Sequence, residues 1–277
     1  MRRACLASLL LLASVPALAG APLTRNEQAV INFGFATQLG SGIYSLSGRT
    51  LQVYRLPFGY TPSSDEDARV RPRITLPLTL GFVDFKPRDV VETGVPERID
   101  SLSFVPGLAL HIAVLEDWEL EPFAEAGIAR DQASEADQNV YSAGLRSRYD
   151  FGSGPTDWQL YNELVHVVVE QRSFDRTDDF TRFRVGTTAR RPFDTAGTGQ
   201  RADFLAYGLV EVYTDSPVGP ADSPEGEDDN GAQLEVGFTF GATEPLRLWK
   251  IKLPRIGVGY RVGDGLSVYR IVFGSPY

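Results

Sequence analysis

Residues 73–82 read Arg-Ile-Thr-Leu-Pro-Leu-Thr-Leu-Gly-Phe. Ile74, Leu76, Leu78, Leu80 and Phe82 alternate with Arg73, Thr75, Pro77, Thr79 and Gly81. Successive side chains of a strand point to opposite faces, so a period of two describes a strand with one apolar face and one polar face. The same rhythm recurs along the chain. Trp118, Leu120, Pro122, Ala124, Ala126 and Ile128 alternate with Glu119, Glu121, Phe123, Glu125 and Gly127. Tyr141, Ala143, Leu145, Tyr149 and Phe151 alternate with Ser142, Gly144, Arg146, Arg148 and Asp150. Phe183, Val185, Thr187 and Ala189 alternate with arginines, glycine and threonine, and Leu234, Val236, Phe238 and Phe240 do so further on.

Many of these segments run well past the roughly 5–6 residues usual for globular strands. Long strands with an apolar face and a face of Arg, Glu, Gly, Thr and Ser fit a transmembrane barrel, apolar side to lipid and polar side to the lumen. Twelve spans are expected: 31–45, 49–61, 70–85, 100–115, 118–131, 138–151, 157–173, 179–193, 202–214, 232–243, 246–262 and 265–277. The expected fold is therefore all-β, an antiparallel up-and-down transmembrane β-barrel of twelve strands. An even count puts both termini on one side. Connections at 86–99, 132–137 and 215–231 then share the outer side, and the last is rich in acids without a base. Turns at Glu116-Asp117 and Thr243-Glu244-Pro245 fall on the other side and are very short.

Two places disturb the pattern. Trp249, Ile251 and Leu253 share a face, and the alternation resumes at Ile256, Val258 and Tyr260. A bulge at Pro254 would restore the faces. The first segment reads two ways. Phe33, Phe35, Leu39 and Ile43 alternate, which favours a strand. Thr24 with Glu27 resembles a capping box ahead of Ala29, Val30, Phe33 and Ala36, which would make a helix lying in the lumen.

The N-terminus has Arg2 and Arg3, then an apolar run from Leu6 to Val15, then small-x-small sites ending at Ala19 and Ala21. This is the pattern of a secretory signal peptide over residues 1–21, leaving a barrel domain at 22–277. Cys5 is the sole cysteine and lies ahead of the apolar run, so the mature chain would have no disulfide. Removing two arginines would move the net charge from −9 to −11.

Composition narrows the classes. With 43% hydrophobic residues the chain is too apolar for disorder. After residue 20 no run approaches the roughly 18 apolar residues of a spanning helix. Net acidity without a basic block excludes nucleic acid as the expected partner.

The chain ends Leu-Ser-Val-Tyr-Arg-Ile-Val-Phe-Gly-Ser-Pro-Tyr, with Tyr269, Ile271, Phe273 and Tyr277 at alternate positions. This is similar to the terminal strand by which outer-membrane barrels are recognised by the barrel-assembly machinery; Ser275 and Pro276 depart from the usual ending. Residues 33–60 (FGFATQLGSGIYSLSGRTLQVYRLPFGY), with WELEPFAEAGIAR at 118–130 and YSAGLRSRY at 141–149, resemble the solitary autotransporter-like β-barrel family of Gram-negative bacteria. The resemblance implies a bacterial outer-membrane location and a porin-like or translocator-like barrel. Autotransporter translocators carry a large passenger upstream. Here only a few residues separate the expected signal peptide from the barrel, so no covalent passenger is expected.

Chemistry is sparse. The mature chain has two histidines, His111 and His166, and neither has a neighbouring Ser in the pattern of barrel phospholipases, nor an Asp-x-His. Glu163, His166 and Glu170 lie close on one strand, but only His166 and Glu170 share a parity. Two separated histidines without cysteine supply little transition-metal affinity. No catalytic residue, cofactor or metal is expected.

The expected lumen face carries Arg73, Glu121, Glu125, Arg146, Arg148, Asn162, His166, Glu170, Arg182, Arg184, Glu235, Lys250, Lys252 and Arg270. Buried charges must pair, or each costs several kcal/mol. Twelve strands enclose more room than side chains of a roughly eight-stranded barrel fill, so a plug segment or water is expected inside. Tyr54, Tyr60, Trp118, Tyr149, Trp249, Tyr260 and Tyr269 are expected to form interface girdles. The sequence thus points to a monomeric, non-enzymatic outer-membrane barrel, structural or narrow-channel, with its lumen largely occluded. The alternatives are a surface interaction or adhesion protein acting through outer loops, and a lipid-modifying barrel enzyme.

Overall fold

The computed structural model describes residues 37–38, 40–46, 49–62, 68–83, 100–131, 136–152, 154–172, 176–194, 201–214, 231–242, 247–248, 251–252, 255–263, 266–273 and 276. The signal-peptide residues, the helix reading at 24–36, the acidic stretch 215–230, Trp249, Lys250 and Tyr277 lie outside the described residues.

The described elements are all strands. In chain order they are β1 (Gly42–Leu46), β2 (Arg49–Tyr60), β3 (Val70–Val83), β4 (Ser101–Phe104), β5 (Gly107–Ala113), β6 (Trp118–Asp131), β7 (Ala136–Phe151) and β8 (Asp157–Gln171). They continue with β9 (Arg176–Asp194), β10 (Arg201–Thr214), β11 (Gly231–Ala242), β12 (Arg247–Leu248), β13 (Ile251–Lys252), β14 (Ile256–Gly263) and β15 (Leu266–Phe273).

Neighbours in the chain pair antiparallel around the whole wall. The ring closes where β1 bridges the first and last long strands, with Ile43 opposite both Gln52 of β2 and Tyr269 of β15. Closure leaves every wall strand two neighbours, so no sheet edge faces lipid along the paired lengths.

β4 and β5 form one wall strand. Phe104 faces Ile128 and Gly107 faces Glu125, so three residues along β4–β5 match three along β6 and the register is unbroken. The interruption is Pro106, which has no N–H to donate to the ladder. Its carbonyl still accepts from Ala126 N at 2.9 Å. Counted this way the wall has twelve strands, as the periodicity predicts.

The two disturbed segments resolve differently from expectation. The span 246–262 is not one strand with a bulge. β12 and β13 pair only with each other, and the wall strand is β14, whose Ile256 faces Phe240 of β11. The alternation before and after Pro254 belongs to two separate elements, and the connection after β11 is longer than the turn expected at 243–245. The reason lies in packing. β14 carries Gly257 and Gly259 on its inner side, and a Cβ at Gly259 would run into the Tyr207 hydroxyl. The more bulky 247–253 stretch has no such gaps. The first segment also differs from expectation, because the wall strand begins only at Gly42. Ser41 ends the pairing, its hydroxyl accepting from Arg55 N at 2.9 Å.

The two faces of the wall are chemically opposite. Leu56, Phe58, Leu108, Leu164, Leu234, Val236, Phe240 and Ile256 are exposed on the outside. Glu121, Glu163, Arg182, Glu211, Glu235 and Arg261 are buried on the inside. An outer band of Leu, Val and Phe around a closed charged interior is the pattern of a transmembrane barrel. Along β6 the outer face is uncharged from Trp118 to Ile128 and meets Arg130 beyond. Ten strand steps at ordinary barrel tilt span about 25 Å, the height of a bilayer's apolar band. Tyr60, Trp118, Tyr149, Phe151 and Trp158 gather on the outside at the end that bears the 114–117 turn. Ring centroids there lie 6.1 Å apart for Tyr149–Phe151 and 6.3 Å for Phe151–Trp158.

Candidate functional site

The interior is the only concave surface that the closed wall encloses. Its ordering begins with parity: residues i and i+2 share a face, and directly opposed residues on adjacent strands sit about 5 Å apart at Cβ. Acids and arginines on alternating strands therefore meet in register.

They form one continuous chain of contacts around most of the wall. His111 of β5 touches Glu119 through Nδ1 and Glu121 through Nε2, the latter at 2.8 Å. A carboxylate only accepts, so both ring nitrogens donate. Arg146 of β7 lies 2.6 Å from Glu121 and 2.8 Å from Glu163. Its guanidinium also sits 3.8 Å from the centre of the Phe123 ring. Glu163 of β8 takes Arg182 at 2.6 Å and Arg184 at 3.6 Å. Arg184 of β9 reaches on to Glu211 of β10. Arg261 of β14 joins Glu211 to Glu235 of β11, at 2.7 Å to each. Arg270 of β15 ends the series at 2.7 Å from Glu235.

Tyrosines supply further donors to the same carboxylates. Tyr161 donates to Glu163 at 3.0 Å, Tyr213 to Glu211 at 2.7 Å and Tyr207 to Glu235 at 2.8 Å. Glu125 accepts from Ser142 at 3.1 Å. Glu121, Glu163, Glu211 and Glu235 thus each have several donors, the condition under which a buried ion pair is tolerated. A separate group lies toward the end that bears the 114–117 turn: Asp203 holds Arg190 at 2.6 Å and also contacts Arg255.

The chain's own N-terminal side enters this interior. Arg182 Nη1 donates to the Gln38 carbonyl at 3.0 Å, and Arg55 Nη1 to the Thr37 carbonyl at 3.1 Å. Thr37 and Gln38 are buried, and a side chain at Gly40 would collide with the Arg270 guanidinium. These residues occupy lumen space where the sequence expected either a wall strand or a lumen helix.

Most of the expected lumen residues lie where parity put them: Arg73, Glu121, Glu125, Arg146, Arg148, Arg182, Arg184, Glu235 and Arg270 all face inward. Of these, Arg73 contacts no acid among the described residues. Four expectations fail. Asn162, His166 and Glu170 face outward, because β8 buries Tyr161, Glu163, Val165, Val167 and Val169 instead. The second half of β8 is apolar on its inner side and polar outside, the reverse of the usual phase. His166 is exposed on the outer surface, its Nδ1 3.1 Å from Thr181 Oγ1 and its Nε2 3.9 Å from Asp179. Glu170 accepts from Asn139 at 3.2 Å on the same outer surface. Lys252 lies in the β12–β13 hairpin and not on the wall.

Sequence reasoning missed Arg55, Glu163, Asp203, Glu211, Arg255 and Arg261 as members of the interior. The signal was present in β10, where Asp203, Leu205, Tyr207, Leu209, Glu211 and Tyr213 alternate inward. Four of those six are apolar or aromatic, so the polar face was not visible as such. Among the expected girdle residues, Tyr54, Tyr60, Trp118, Tyr149, Tyr260 and Tyr269 are on the outer surface. Of the expected assembly signal, Tyr269 and Ile271 face outward on β15.

No family model and no curated protein matches the chain. Among solved structures, the β domain of the Bordetella autotransporter BrkA is similar at 14% identity, covering 84% of this chain and 96% of that chain, with a TM-score of 0.48.

Proposed function

We propose that this transmembrane barrel is a non-enzymatic outer-membrane protein of bacteria, a narrow charged passage that its own N-terminal side partly fills. The observation that carries the reading is the pair of bonds from Arg55 and Arg182 to the Thr37 and Gln38 carbonyls inside the wall. Backbone carbonyls bonded to fixed arginines hold a strap across space that would otherwise conduct. On this reading residues 1–21 direct export, and the alternate apolar residues Tyr269, Ile271, Phe273 and Tyr277 engage the barrel-assembly machinery. On the same reading the barrel works as a monomer in the bilayer.

Planar-bilayer recording of the purified full-length chain tests the passage. Wild type is expected to give small, discrete steps. Arg182→Gln removes one tie to the strap and is expected to raise the conductance. Silence from both proteins overturns the passage and leaves a structural barrel. Membrane fractionation with heat-shifted gel mobility tests the location, and a protein recovered soluble from the periplasm overturns it.

A further inference from the structure

One sector of the inner wall is built unlike the rest. On β2 to β5 the inward-facing residues include Val53, Arg55 and Gly59, then Arg71, Arg73, Thr75, Pro77, Thr79 and Gly81, then Ser101, Ser103, Val105, Gly107, Ala109 and His111. Three arginines and a histidine stand there, and among the described residues of these strands no inward carboxylate does. Arg55 is bonded to the strap. Arg71 and Arg73 have no ion-pair partner among the described residues.

Their surroundings deepen the imbalance. Arg71 stands directly opposite His111 in the β3–β5 register. On the adjoining β6, Glu119 and Glu121 are already shared among His111, Arg146 and Arg148, and Glu125 accepts from Ser142. Arg73 lies across Gly59 of β2: a Cβ there would sit 3.3 Å from its Nε and Nη2. The missing side chain lets the guanidinium rest against the wall with its outer edge to the lumen. Both arginines lie near the start of β3, at the mouth beside the 114–117 turn. Low-dielectric walls around a water-filled mouth concentrate their field, and guanidinium forks match the geometry of phosphate and carboxylate oxygens.

We infer that Arg71 and Arg73 form a binding site for small phosphate- or carboxylate-bearing anions at this mouth of the lumen. The site faces inward, so it takes free solutes and not lipid headgroups. It rests on the reading of the interior as a passage and names the solute class that this passage would favour.

Inorganic phosphate is the probe, titrated by calorimetry into the full-length chain folded in detergent at low salt. Saturable binding is expected for wild type, weakened at least about tenfold in Arg71→Gln/Arg73→Gln. The charge-keeping pair Arg71→Lys/Arg73→Lys should retain most of it. Arg190→Gln, whose cation is committed to Asp203, should leave it unchanged. Heat-shifted mobility checks that each variant is folded. Absence of saturable binding in wild type, or equal affinity in the double Gln variant, overturns the site. Binding gained only when Asp65, Glu66 and Asp67 are neutralised overturns it as well, because the counter-ion is then the chain's own β2–β3 connection. Phosphate binding without conductance defeats the passage alone, and conductance without phosphate binding defeats this inference alone.

Discussion

The inner wall from β6 onward and the inner wall from β2 to β5 use the same arginine side chain to opposite ends. In the first, the acids of the belt meet two or more donors each, as Glu211 does with Arg184, Arg261 and Tyr213. Those charges are consumed in holding strands together. In the second, Arg71 and Arg73 meet no acid among the described residues. Their charge stays available. Position alone does not distinguish the two uses, since all these arginines face the lumen. What distinguishes them is whether the neighbouring strand presents a carboxylate in register.

The sharpest way to break this contrast is to remove an acid from the paired side. Glu211 is fully buried. Glu211→Gln leaves Arg184 and Arg261 with an uncompensated buried charge and should cost about 3–5 kcal/mol. Urea unfolding in lipid vesicles measures it, and a loss within experimental error would mean that the belt is not structural. Next is Gly259→Ala, which thrusts a methyl into the Tyr207–Glu235 pair. Overpacking there should cost about 1–3 kcal/mol in the same assay. The open side should behave differently. Arg71→Gln/Arg73→Gln should change stability by no more than about 0.5 kcal/mol while altering anion binding. A loss as large as that of Glu211→Gln would place these arginines in the structural belt after all. Smallest of all is His166→Ala, exposed on the outer surface, again within about 0.5 kcal/mol. A larger loss would restore His166 to the interior and reverse the phase assigned to β8.

The expectations for β8 and β14 explain how far a sequence carries such a fold. On β7, Tyr141, Ala143, Leu145 and Tyr149 lie outside and Arg146 and Arg148 inside because lipid tolerates no charge, which makes the alternation strict within the bilayer band. Beyond that band the outside is wet, and the rule lapses. On β8 the outward face itself mixes Leu160 and Leu164 with Asn162, His166 and Glu170, so polarity does not report direction there. In β14 the difficulty was different: two alternating runs stood in series around Pro254, and only pairing with β11 chooses which of them is wall.

The sequence by itself determined that the chain is an antiparallel barrel of twelve strands with an apolar exterior. That follows from a local rule, since each strand must offer lipid one face. The tertiary structure alone decided which acids meet which arginines, and that Thr37, Gln38 and Gly40 lie inside the wall. Arg182 and Gln38 are 144 residues apart, as are no two members of any motif. Such contacts depend on closure and register around the ring, quantities that no single strand's pattern contains.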